Sequence, residues 1–339
     1  MHVEKEQLLR ALEIVKPGLA NKELIEQSTS FAFINGRVVT YNDEISISHP
    51  VEGLEIEGAI LAENLYKFLG KIKKEELDLE IVGNEILLTT GKAKAGLTLQ
   101  SEIKLPLDEE VAEIGKWFKL PDNFIDAISF VMTACSKDMS QPILTCVHIN
   151  EEGYVEASDT YCMAKHDLTT KMPIGTVLIP AGSVIDMVKL KPTRVAEGKG
   201  WIHFRTKEDT IISCRIFNED EFPPTEGLLN MRGTPLTLPD TIGEVLDRAM
   251  VFARRDHLLD EVITITMEGK KCEMSAQSES GWFKEAVDIK YNGNIVKIQM
   301  TPYMFKRILS KTQSGILSEK KLKFEGEGWV YLTMLRSVK

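Results

Sequence analysis

Residues able to do chemistry are present in this sequence but are not arranged to do it. Cys135, Cys146, Cys162, Cys214 and Cys272 could ligate zinc or pair as disulfides. However, no Cys-x-x-Cys pair occurs and no histidine stands at finger-like spacing, so they read as reduced structural thiols. His2, His49, His148, His166, His203 and His257 are scattered; His148 and His203 fall in β-prone runs and read as structural or surface residues. Gly198-Lys199-Gly200 lacks the spacing of a phosphate-cradling loop and precedes the β-prone run from Trp201, which makes it a turn. Asp159 between Ser158 and Thr160 is a turn-forming aspartate. With no nucleophile beside a base and no phosphate loop, the expectation is a non-enzymatic protein needing neither metal nor cofactor.

Composition narrows the class further. The chain has 339 residues, 43% of them hydrophobic and 27% charged, enough for two or three domains that fold without disulfides. Uninterrupted apolar runs stay well short of the ~18–20 residues of a membrane span. The opening Met1-His2-Val3-Glu4-Lys5-Glu6 lacks the basic-then-apolar layout of a signal peptide, so a cytoplasmic protein is expected. Forty-one basic against 51 acidic residues, a net charge of −10, argues against gripping nucleic acid over the whole surface. A local basic face stays compatible with that balance.

The elements that would position any site are set by an internal repeat. A short β-prone stretch, then Pro or a small or acidic residue, then an amphipathic run, recurs six times. Its markers are Glu4, Ala62, Pro121, Pro180, Pro239 and Pro302, spaced by 58, 59, 59, 59 and 63 residues. Apolar residues three and four apart, such as Leu8, Leu9 and Leu12 or Phe305, Ile308 and Leu309, predict a short helix in each unit. The six helical runs are 7–14, 65–72, 124–132, 184–190, 242–251 and 304–309. Proline at the first helical position costs no hydrogen bond and marks a start. After each helix comes a hairpin turning at Asn35-Gly36, Gly83-Asn84, Glu151-Glu152-Gly153, Lys207-Glu208-Asp209, Glu268-Gly269-Lys270 or Gly326 to Gly328.

One such unit is marginal alone, because a single short helix covers one face of a sheet. Pairing units gives three pseudo-duplicated α+β domains of two helices on antiparallel sheets, at 1–115, 116–233 and 234–339. The boundaries fall near the acidic stretch from Asp108 to Lys116 and near Asn230 to Pro235. Open strand edges in quasi-identical domains lead either to an open array or to closure by symmetry. A ring with the helices on its inner wall and duplex DNA inside requires that wall to be basic. The last helix fits, with Lys306, Arg307 and Lys311; so does the second, with Lys67, Lys71, Lys73 and Lys74 against Glu63. The fourth adds Lys189 and Lys191 against Asp186, the fifth is mixed and carries Arg248, and the third has Asp122 and Asp126. Solvated helix faces would give the same lysine pattern.

Specific motifs then decide between these readings. The run from Thr133 through Ser136, Asp138, Gln141, Pro142, Ile143 and Leu144 to Val147 resembles the start of the middle domain of bacterial sliding clamps, the β subunit of DNA polymerase III. The stretch 155–164 resembles that family's Ala-Thr-Asp-Gly-His-Arg-Leu-Ala, and 217–228 its Glu-Phe-Pro-Asp-Tyr segment. The opening Glu6-Gln7-Leu8-Leu9 and the closing Tyr331 to Arg336 resemble its two ends, so the likeness spans the chain. It implies a head-to-tail homodimer forming a ring around double-stranded DNA, a processivity factor that tethers the replicative polymerase and is placed by a clamp loader.

Carried over residue by residue, the resemblance implies a partner-peptide pocket. Its first wall is Gln141 and Ile143, with Ser158, Thr160, Tyr161, Cys162 and Met163. Its second is Pro223, Gly227 and Leu228, with Leu332, Thr333, Met334 and Leu335. Such a set suits an apolar groove with a flexible methionine lining. It also implies DNA contacts at Lys22 and Lys137. Where the family has Arg this chain has Gln141 and Cys162, and where it has Gly-His this chain has Thr160-Tyr161. The family's Met-Pro-Met-Arg ending is Met334-Leu335-Arg336 here, followed by three more residues, so a distinct peptide specificity is expected. The alternative reading is a clamp-like peptide-binding module in replication or repair that does not enclose DNA.

Overall fold

A computed structural model describes residues 2–73, 76–111, 113–217 and 221–336. Helices form where the repeat predicts them: α1 (Lys5–Val15), α2 (Ala62–Lys71), α3 (Phe124–Val131), α4 (Ala181–Leu190), α6 (Ile242–Ala253) and α7 (Pro302–Lys311), with a one-turn α5 (Glu226–Leu229) outside the repeat. In α6 the buried residues Ile242, Val245, Leu246, Ala249 and Ala253 keep the spacing of one helix face. α7 starts as its sequence dictates: the Thr301 side chain accepts a 3.2 Å bond from the Met304 N–H, and Pro302 follows it.

The chain packs as two compact units, 1–120 with 182–216, and 121–181 with 217–339. Both are built alike, from one eight-stranded and one four-stranded antiparallel sheet. In the first unit Gly58–Leu61, Ser30–Ile34, Arg37–Tyr41 and Ile45–Pro50 are continued by Ile211–Arg215, Trp201–Arg205, Arg194–Glu197 and Phe118–Lys119. In the second, Val177–Pro180, Cys146–Asn150, Tyr154–Ser158 and Cys162–Asp167 are continued by Trp329–Met334, Lys321–Gly326, Ser314–Leu317 and Thr234–Thr237. The joins set Ile212 opposite Ile47 and Met163 opposite Leu332. The middle third of the chain thus supplies half of each eight-stranded sheet, which is why the units cut across it. The ranges 1–115, 116–233 and 234–339 are the expectation from the repeat along the sequence; the packing divides the chain into two units.

Strands of the eight-stranded sheets such as Ser30–Ile34 and Cys146–Asn150 are buried on both faces; in the first unit α1 and α2 pack on the sheet, and Ile103, Leu105 and Leu107 from a connecting segment pack with Ala32, Val39 and Tyr41. Those of the four-stranded sheets alternate, as in Ile263–Glu268, with Ile263, Ile265 and Met267 inward. Their edge strands are His2–Glu4 and Ala93–Thr98 in one unit, and Gly281–Asp288 and Val296–Met300 in the other. The Asn35-Gly36 turn places both residues at positive φ, 51° and 70°, as a tight two-residue hairpin requires.

Candidate partner-binding groove

Within the second unit a cavity of about 360 Å³ opens between the turn after α3, the turn joining Tyr154–Ser158 to Cys162–Asp167, the start of α7, and the final strand. The turn at 159–162 is written in its side chains. Asp159 Oδ1 accepts the main-chain N–H groups of Tyr161 (2.9 Å) and Cys162 (2.6 Å), and Ser158 Oγ donates to the Cys162 carbonyl at 2.8 Å. Thr160 takes φ 75° at its tip. The final strand is tied to this turn, since the Met334 N–H reaches the Tyr161 carbonyl at 2.7 Å. On the opposite wall Ser136 Oγ accepts from the Asp138 N–H at 3.0 Å, and Asp138 Oδ1 from the Ser140 N–H at 2.9 Å.

Five of the pocket residues implied by the resemblance line this cavity: Gln141, Thr160, Tyr161, Cys162 and Thr333. Ile143 is half-buried on the short turn Pro142–Thr145, and Met334 is half-buried beside Tyr161. Met163 and Leu332 are core residues, buried opposite each other in the strand join. Leu335 turns to a separate cavity that it shares with Pro235, Ile295 and Leu317. Pro223, Gly227 and Leu228 stand exposed on or before α5. That segment is fixed elsewhere: Thr225 Oγ1 donates to the buried Glu156 at 2.5 Å, Glu156 meets His148 Nδ1 at 2.9 Å, and His148 stacks on Phe222.

The lining also includes Cys135, Leu259, Val262, Met300, Met304 and Arg336, none of them in the implied set. Arg336 belongs to the closing motif, and Met300 and Met304 flank the sixth repeat marker, so position in the repeat was the available signal. Leu259 and Val262 come from a loop with no motif.

The groove's thiols and its phenol are held in their neutral forms. Burial pushes the Cys162 thiol well above its ordinary value, with Asp159 adding to it, and burial does the same to Cys135, so neither supplies a thiolate. Burial likewise raises the Tyr331 phenol beside Cys162. Apolar walls at Leu259, Val262, Met300 and Met304, with polar groups at the rim, are what an extended peptide needs.

The residues expected to face DNA are mostly ion-paired. Lys67 pairs with Glu63 (2.5 Å), Lys189 with Asp186 (2.7 Å) and Lys306 with Asp247 (2.8 Å). Arg248 grips Glu285 with two bonds of 2.8 and 2.7 Å. Arg307 (2.5 Å) and Lys311 (3.3 Å) share Asp126; burial opposes its ionisation, but these two cations hold its carboxyl below the usual range. Lys137 lies at the groove, 2.8 Å from Asp260. Lys22 and Lys71 are exposed and have no ion-pair partner among the described residues; Lys74 lies outside the described residues.

No protein-family model matches the sequence, and no curated protein matches it either. Solved structures do. A DNA polymerase sliding clamp from Bacillus subtilis superposes with a TM-score of 0.72 at 18% identity, over 100% of this chain and 99% of its own. The DNA polymerase III β chain from Streptococcus pneumoniae gives 0.74 at 18%, over 99% of both chains. A sliding clamp from Bartonella birtlesii, bound to griselimycin, gives 0.76 at 14%, over 100% of this chain and 99% of its own. The chain has the sliding-clamp fold. The clamp fold runs from end to end, so the six-fold repeat and the middle-domain motif are two views of one architecture.

Proposed function

We propose that this protein is a sliding clamp, a DNA polymerase processivity factor that encircles duplex DNA and holds the replicative polymerase through short peptide motifs. The observation carrying this reading is full-length superposition on DNA polymerase sliding clamps at 99–100% coverage of both chains. In this reading the three sequence domains, 1–115, 116–233 and 234–339, pair head to tail with those of a second subunit, and a clamp loader places the ring on DNA in the cytoplasm. Two features support the dimer. Each four-stranded sheet ends in an open edge, at Ala93–Thr98 and Gly281–Asp288, and Trp282 and Val251 beside the second edge are 70% and 72% exposed.

The clamp performs no chemical step of its own; persistence on DNA comes from topology. Inner-wall cations meet phosphates without reading bases. Ion pairs as exposed as Lys67–Glu63 are weak in water, so phosphates compete for these cations at little cost. The test is retention on nicked circular DNA compared with the same DNA linearised. Retention on the circle and loss on linearisation is expected; equal loss from both forms would defeat the encircling reading. A monomeric mass at micromolar concentration would favour the non-enclosing module instead.

A further inference from the structure

We infer that the groove selects partner peptides carrying a carboxylate, and that Arg336 receives it; this rests on reading the cavity as a peptide groove. The charged groups of the lining are Lys137, Arg336, Asp138 and Asp159, which sum to zero, so the cavity as a whole does not attract anions. Selection must therefore arise at one position.

Three of these four charges are occupied within the protein. Lys137 Nζ lies 2.8 Å from Asp260 Oδ1. Asp159 is engaged by two main-chain N–H groups and Asp138 by one. Arg336 differs. Its main chain is fixed by a 2.7 Å bond from its N–H to the Lys297 carbonyl, and its guanidinium carbon lies 4.1 Å from the centroid of the Tyr161 ring. Among the described residues its guanidinium has no carboxylate partner.

Stacking consumes the face of a guanidinium and leaves the N–H groups on its rim unused. Tyr161 is 51% exposed, so the stacked pair stands at the mouth of the cavity. A planar fork held in place loses little side-chain freedom on binding, and a carboxylate can accept two parallel bonds from it. The apolar walls below suit leucine or phenylalanine side chains. The occupant is thus a short extended peptide with apolar residues seated in the cavity and a carboxylate, from an acidic side chain or from the chain end, at Arg336.

The test uses the full-length protein and fluorescent hexapeptide pools with fixed leucine and phenylalanine positions. One pool has glutamate elsewhere and an amidated end, a second glutamine and an amidated end, a third glutamine and a free carboxyl end. The glutamate pool should bind about tenfold tighter than the amidated glutamine pool, with the gap closing in high salt. An advantage in the third pool assigns the carboxylate to the chain end. Arg336→Gln should bring the ratios close to one, Arg336→Lys should keep part of them, and Lys270→Gln, an exposed turn residue outside the lining, should leave them intact. Equal binding of all three pools, or ratios unchanged in Arg336→Gln, would overturn the assignment to Arg336. Binding by none of the pools would instead remove the groove reading on which it stands.

Discussion

His203 makes the first unit acid-sensitive, and the size of the effect can be worked out. The side chain is fully buried, its Nδ1 lies 2.8 Å from Ser213 Oγ, and its Nε2 makes no well-formed hydrogen bond among the described residues. Burial lowers its pKa from 6.5 to about 4, only partly offset by the Glu113 backbone. A depressed histidine is neutral in the folded state, so the unfolded chain binds the proton more readily. Stability is complete above pH 6.5 and falls as the pH drops toward 4. Linkage gives a loss of about 2 kcal/mol by pH 5 and about 3 kcal/mol by pH 4. His203→Gln keeps a donor and an acceptor near Ser213 but does not titrate. Urea midpoints for both proteins between pH 7 and pH 4, at fixed protein concentration, should therefore converge or cross as acid is added. Other groups, including His49, which burial also lowers, cancel in the difference. Parallel curves would refute the reasoning, because they would mean that the ring takes up its proton in place.

Two further substitutions probe the groove. Asp159→Ala removes the acceptor of two N–H groups and should cost about 1–2 kcal/mol in urea midpoint and weaken peptide binding, whereas Asp159→Asn should recover most of both; an unaffected alanine variant would mean the turn holds itself. Thr133 lines the cavity with a buried hydroxyl that lacks a hydrogen-bond partner among the described residues, so the near-isosteric Thr133→Val should raise stability by about 1 kcal/mol, and a lowered midpoint would show that the hydroxyl is satisfied.

What the sequence disclosed, and what it withheld, follows the range of the interactions. Helix starts and hairpin turns are local, so Pro302 after Thr301 and Asn35-Gly36 could be read directly, and every predicted helix formed. The two-residue edge strand Phe118–Lys119 is too short to show a period, and in Ala93–Thr98 the alternation of Ala93, Ala95 and Leu97 with Lys94, Gly96 and Thr98 rests on small residues and a glycine that carry little strand signal. The sheet joins are less accessible still. Ile45–Pro50 meets a strand more than 160 residues away, and nothing in either segment names the other. The repeat gave the modules, while the eight-stranded sheets depend on which module edges meet.

The same distinction explains why counting lysines overstated the free positive charge. On α7, Arg307 and Lys311 look like an unopposed cationic face, since no acid lies between Pro302 and Lys311. Their counter-ion is Asp126, 181 and 185 positions earlier, on the α3 helix whose acids had seemed to break the pattern. Acid on one helix and base on another were parts of one cluster. The groove divides in the same way. The aspartate turn at Asp159 was visible as a turn, and the resemblance brought in Gln141, Thr160, Tyr161, Cys162 and Thr333, but Leu259 and Val262 come from a loop without a motif. Arg336 stands out for the opposite reason. It is a cation for which folding of the described residues provides an aromatic face and no acid, and a group left in that state at the mouth of a cavity is available to something that binds there.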